Sequence, residues 1–101
     1  MYYKQSASTD HIEFNEVHDG QGLVKRRNLF GASSKLPIGL EIWELDQGVS
    51  EGPHTHNDAE VLEEVYYFLK GDGIMTIDGE EVQVKTGDAV MITPESERGI
   101  V

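Results

Sequence analysis

The dipeptide Asp78-Gly79 stands between two runs of β-forming residues, Ile74-Met75-Thr76-Ile77 and Glu80 to Lys85. Asp-Gly fits the positive φ angles of a two-residue type I′ turn, so this stretch predicts an antiparallel hairpin. Similar punctuation recurs along the chain. Lys70-Gly71-Asp72-Gly73 and Thr86-Gly87-Asp88 are turns by composition, and Ala89-Val90-Met91-Ile92 reads as a short buried strand stopped at Thr93-Pro94. Upstream, His11-Ile12-Glu13-Phe14 alternates as a short edge strand, and His18 to Gly22 is a loop by its glycines. Leu23 to Phe30 reads as a strand whose outer face carries Lys25, Arg26 and Arg27. Gly31 to Pro37 is a loop, and Ile38 to Leu45 alternates with apolar residues on both faces, as in a strand packed on two sides. Short strands with turns about every 8–12 residues predict an all-β antiparallel sandwich or barrel.

One segment resists this reading. Asp58 to Leu69 carries Val61, Leu62, Val65, Tyr66 and Leu69 at helical spacing behind a capping Asp58, yet Val65-Tyr66-Tyr67-Phe68 is β-branched and aromatic. The pattern alone leaves helix and strand open.

The 101 residues make one domain, residues 1–101, with a polar and mobile stretch over 1–10. A chain this short buries only roughly 60–65% of its unfolded surface, so a homodimer that adds buried area is expected. Eight basic residues against 19 acidic ones give a net charge of −11. Nucleic acid and anionic membrane surfaces, which need clustered Lys and Arg, are therefore not expected partners. The chain has no cysteine, so any metal must be held by imidazole and oxygen. No apolar run approaches the roughly 20 residues of a membrane helix, and the N-terminus lacks an apolar signal core, which predicts a cytoplasmic protein.

The sharpest chemistry lies in Gly48 to Gly71, GVSEGPHTHNDAEVLEEVYYFLKG. Residues i and i+2 of an extended segment share a face, so His54 and His56 can aim both imidazoles at one point, with a carboxylate of the next strand as third ligand. The spacing Gly48, five residues, His54-Thr55-His56, and then Glu64, six residues, Gly71 resembles the first motif of the cupin superfamily, with a ligand loop about three residues longer than usual. Gly87 to Pro94 resembles the first half of the second motif. Beyond it the match fails: Ser96 stands where the motif has Gly, the fourth ligand histidine would fall on Gly99 or Arg98, and the sequence reaches Val101 before the motif's Asn. A longer chain, or a barrel completed by a second chain, is the expectation there.

The resemblance spans residues 36 to 97 and implies a jelly-roll barrel in which Glu64 to Lys70 is a strand. It implies a divalent metal ion (Fe, Mn, Zn, Ni or Co) on His54, His56 and Glu64, with Glu60 in reserve as the carboxylate. Relatives range from dioxygenases to isomerases, lyases and non-enzymatic binders. The expected ligand is therefore a small polar metabolite, either turned over by a metal-assisted enzyme or held by a binding module. Tyr66 and Phe68 share the face of Glu64 and are candidate pocket residues, as is Arg98, whose guanidinium could bind a substrate carboxylate beside the metal. His11 and His18 are read as surface residues, and Trp43 and Met91 as core.

Overall fold

The computed structural model describes residues 1–56 and 61–101. Within them the chain forms strands β1 (Glu13–Asn15), β2 (Val24–Asn28), β3 (Glu41–Glu44), β4 (Glu51–His54) and β5 (Glu64–Tyr67), followed by β6 (Asp72–Ile77), β7 (Glu80–Lys85), β8 (Ala89–Ile92) and β9 (Arg98–Ile100), with no helix among the described residues. Three antiparallel sheets result, ordered β1-β2-β3, β4-β9-β6-β7 and β5-β8. The all-β antiparallel barrel expected from the sequence is the fold observed. Asp58, the candidate helix cap, lies outside the described residues.

The hairpin forms where Asp78-Gly79 places it. Asp78 has φ 50° and Gly79 φ 80°, both positive as a type I′ turn requires, and Ile77 pairs with Glu80 across it. The turn is also tied to the stretch before β9, since the Asp78 carboxylate accepts the Glu97 N–H at 2.9 Å. Alternation then sends Met75 of β6 and Val84 of β7 inward, where they meet Ile92 of β8 in a buried cluster. Tyr66 and Phe68 from the β5 side, Val90, Ile77, Val82 and Ile100 pack around it, which seats the β5-β8 sheet against the larger one.

Long-range pairing decides the ambiguous segment. Glu64–Tyr67 is a strand because β8 supplies a full ladder, Glu64 to Ile92 through Tyr67 to Ala89, and Phe68 extends it by donating its N–H to Asp88 O at 3.0 Å. Two expectations about burial are corrected. β8 hides only one face, so Met91 is 61% exposed and not core. Leu40 lies ahead of β3 and is 54% exposed, and β3 itself is only half-buried, because the β1-β2-β3 sheet has few neighbours on its outer side. The basic run of β2 is ion-paired: Arg26 holds Glu41 through two hydrogen bonds at 2.9 and 3.0 Å, Lys25 meets Glu44, and Arg27 meets Asp10. Arg26 also lies over the half-buried Trp43 ring at 5.1 Å.

The strand the sequence reading lacks is β9. Its three residues pair with β4 on one side and β6 on the other. Gly99 makes the fit, since a Cβ there would meet the Glu51 carbonyl oxygen at 2.9 Å.

A substitution isolates the turn. At Gly79 a Cβ would meet nothing within 4 Å, so Gly79→Ala carries only the conformational cost of positive φ. We expect a loss of about 1 kcal/mol, read as a melting temperature about 4–8 °C lower. An unchanged melting temperature would mean that this turn does not need its positive φ.

Candidate metal centre

β4 carries His54 at its end, and His56 follows two residues later. As the i, i+2 rule requires, the two imidazoles meet, with ring centroids 4.8 Å apart and planes at 85°. The third ring of the group comes from the N-terminal segment. His18 stacks on His54 with centroids 3.6 Å apart and planes at 12°, and one nitrogen from each of His18, His54 and His56 lies within 4.8 Å of the others. The reading of His18 as a surface residue is thus corrected, although the ring keeps one open side. His11 does stay at the surface.

Backbone approach explains the placement of His18. Val17 bridges Glu51, Gly52 donates its N–H to Val17 O, and Ser50 donates to Gln21 O, so residues 17–21 lie along β4. Gly20 and Gly52 permit this: a Cβ on Gly20 would meet Ser50 O at 2.0 Å, and one on Gly52 would meet His18 O at 1.8 Å. His18 and Asp19 turn the chain with φ of 50° and 58°.

Two carboxylates flank the rings. Glu64, at the start of β5, has Oε1 3.3 Å from His56 Nε2. Glu51 has Oε2 3.6 Å from His54 Nε2 and 4.0 Å from His18 Nε2. Tyr66 donates its hydroxyl to Glu51 Oε1 at 3.2 Å, with Glu64 Oε1 at 3.4 Å. Arg98, paired with His54 across β4 and β9, is fully buried; its Nη2 donates to Thr93 O at 2.6 Å and its Nη1 lies 3.6 Å from Glu64 Oε1. Exposure rises from this floor of Arg98, Glu51 and His54 toward His56, Glu64 and His18 at the mouth.

Electrostatics disfavour the charged forms of His18 and His54. Burial lowers the pKa of His54, and burial followed by the neighbouring imidazoles lowers that of His18. Burial pushes the Glu51 carboxyl up to about 7 and raises the Tyr66 hydroxyl as well.

The donor set fits a divalent ion. His54 Nδ1 lies 3.0 Å from the Gly52 carbonyl, which can only accept, so the ring proton is on Nδ1 and Nε2 presents a lone pair. That Nε2 is buried and has no hydrogen-bond partner among the described residues. A ring oriented from behind by a carbonyl and bare in front is the form in which histidine ligates metal. Of the residues expected from sequence, His54, His56, Glu64, Tyr66 and Arg98 come together here. Phe68 packs against the core instead, and Glu60 lies outside the described residues.

His18 and Glu51 were not anticipated. No spacing marks His18, because its position depends on close backbone contact far along the chain. Glu51 is three residues before His54, which places the two on opposite faces of a regular strand. A register shift between them in the β4–β9 pairing brings both to one site. Elsewhere, a cavity of about 230 Å³ lined by Gln5, Asp10, Arg26 and Glu41 holds groups already paired with one another.

Comparison with known proteins agrees with this architecture. The family model described as Cupin domain matches residues 41–101. The chain is 34% identical over 82 residues to dimethylsulfoniopropionate lyase DddW of Ruegeria pomeroyi, covering 79% of this chain and 51% of that one. It is 47% identical over 43 residues to the uncharacterized protein MJ1618 of Methanocaldococcus jannaschii, covering 43% and 32%. The chain thus spans about half or less of the length of these curated relatives. Among solved structures, a predicted oxalate decarboxylase from Thermotoga maritima superposes with a TM-score of 0.81 at 26% identity, over 94% of this chain and 83% of that one.

The N-terminal strap is testable. Gly52→Ala drives a Cβ into the His18 carbonyl, a backbone atom that cannot yield without moving the loop. We expect denaturant unfolding to show a loss of about 1–3 kcal/mol. Stability equal to wild type would contradict the close approach.

Proposed function

The chain belongs to the cupin domain family, and from that premise we propose that it binds a divalent metal ion through His54, His56 and Glu64, with His18 as a further imidazole, and acts as a metal-assisted lyase on a small polar metabolite. The observation that carries this reading is the buried Nε2 of His54, unpartnered among the described residues and grouped with ring nitrogens of His18 and His56. Imidazole and carboxylate donors suit Fe, Mn, Zn, Ni or Co. A bound ion of this kind supplies a Lewis acid that polarises a substrate oxygen. The chain's own residues do the rest. Gly52 O fixes the His54 tautomer, the Tyr66 hydroxyl bridges the two carboxylates, and Arg98 puts a permanent positive charge beside Glu64. Of the reaction types open to such a centre, one relative is named a lyase and a structural neighbour a decarboxylase, which favours lyase over dioxygenase.

A second reading is a binding module for the same class of metabolite. It is favoured by Arg98, a buried guanidinium where the family's second motif would supply a further histidine. Turnover separates the two: a lyase forms product without oxygen uptake, and a binder forms none. The same premise takes the protein as a homodimer, for which the exposed Phe14, Leu23, Ile38 and Leu40 offer apolar surface; sedimentation at twice the 11.3 kDa chain mass would support it.

The metal is tested by elemental analysis of purified protein beside a His54→Ala, His56→Ala double variant. We expect near-stoichiometric metal in the wild type and at least about a tenfold loss in the variant. Equal metal content in the two would remove the site.

A further inference from the structure

Glu51 belongs to none of the ligand positions that the chain's motifs suggest, yet it is the most deeply buried carboxylate among the described residues, at 4% exposure. Its position relative to His54 is informative. A carboxylate that merely orients a metal-bound histidine sits behind the ring, on the nitrogen that does not ligate. Here that nitrogen, Nδ1, is taken by Gly52 O, and Glu51 lies on the other side, with Oε2 3.6 Å from Nε2. Two atoms bearing lone pairs therefore face each other in a dry place. The same oxygen lies 4.0 Å from His18 Nε2.

Opposed lone pairs at low dielectric are unfavourable unless a proton or a cation lies between them, and the gap here is wide enough for the cation. Donors bound to one ion at about 2.0–2.2 Å stand about 3.0–3.5 Å apart when adjacent, so the Glu51–His54 separation needs to close by a few tenths of an ångström and the Glu51–His18 one by roughly 0.5–1 Å. Glu64 is differently placed, since Arg98 Nη1 stands 3.6 Å from its Oε1 and offers a competing charge. The ion-pair contacts of Glu51 among the described residues are with His18 and His54 alone.

We propose that Glu51 is a direct metal ligand that closes the His18–His54 side of the centre. The inference rests on the metal reading above and adds to it a carboxylate from β4, brought round by the register shift between Glu51 and His54.

The test is titration of the full chain with Co(II), following both affinity, by competition with a chromophoric chelator, and the visible spectrum of the bound ion. The proteins are wild type, Glu51→Gln and Glu64→Gln. Glutamine preserves the length of residue 51 and its acceptor for Tyr66, so metal-free Glu51→Gln should melt at or above the wild-type temperature. Its Co(II) affinity should fall at least about tenfold with an altered spectrum, and the loss should equal or exceed that of Glu64→Gln. Wild-type affinity with an unchanged spectrum in Glu51→Gln overturns the proposal. Should that variant fail to fold, Glu51→Asp keeps the charge but shortens the reach, and an unchanged affinity and spectrum there overturns it equally. No Co(II) binding by the wild type would instead sink the metal reading itself, and this inference with it.

Discussion

The insertion of β9 between β4 and β6 is the constraint on which the site depends. Arg98–Ile100 joins the histidine strand to the β6-β7 hairpin, so the core cluster under Met75 and the polar cluster under His54 share one sheet. Gly99 allows the backbones to close to a distance that no side chain tolerates. Arg98, its neighbour, is thereby carried opposite His54 with no solvent contact. Without β9 the end of β4 would lose its ladder partner, and the site would lose Arg98 from its floor.

The second organising contact is the N-terminal strap. Residues 17–21 lie along β4 through backbone hydrogen bonds, which are directional enough to fix a loop that has little apolar anchorage beyond the buried Val17. That geometry places His18 over His54. A loop remote from the His-x-His motif thus contributes a donor to the same point as a strand and its following turn.

What the sequence makes legible follows from how local each determinant is. The Asp78-Gly79 hairpin needs only two residues with positive φ, so its register is readable. His54 and His56 converge because strand periodicity is local as well. β5 is readable only with the family resemblance, since its ladder comes from β8, more than twenty residues away. β9, His18 and Glu51 are not readable at all. β9 consists of Arg-Gly-Ile, too short for a pattern; His18 depends on a glycine contact between distant segments; and Glu51 reaches the site through a register shift that inverts the ordinary facing rule. In each case the decisive term is a contact between backbones rather than a run of side chains.

Charge accounts for the preference of such a site for a cation. Two carboxylates, Glu51 and Glu64, face one guanidinium, Arg98, and burial disfavours the charged forms of His18 and His54. With both acids ionised the formal sum is one negative charge, within a chain whose net charge is −11. Burial, with Glu64 adding to it, drives the Glu51 carboxyl up to about 7 against the opposing pull of Tyr66 and Arg98. An anion entering the metal-free cluster would add to this imbalance, whereas a divalent cation reverses it and leaves one net positive charge.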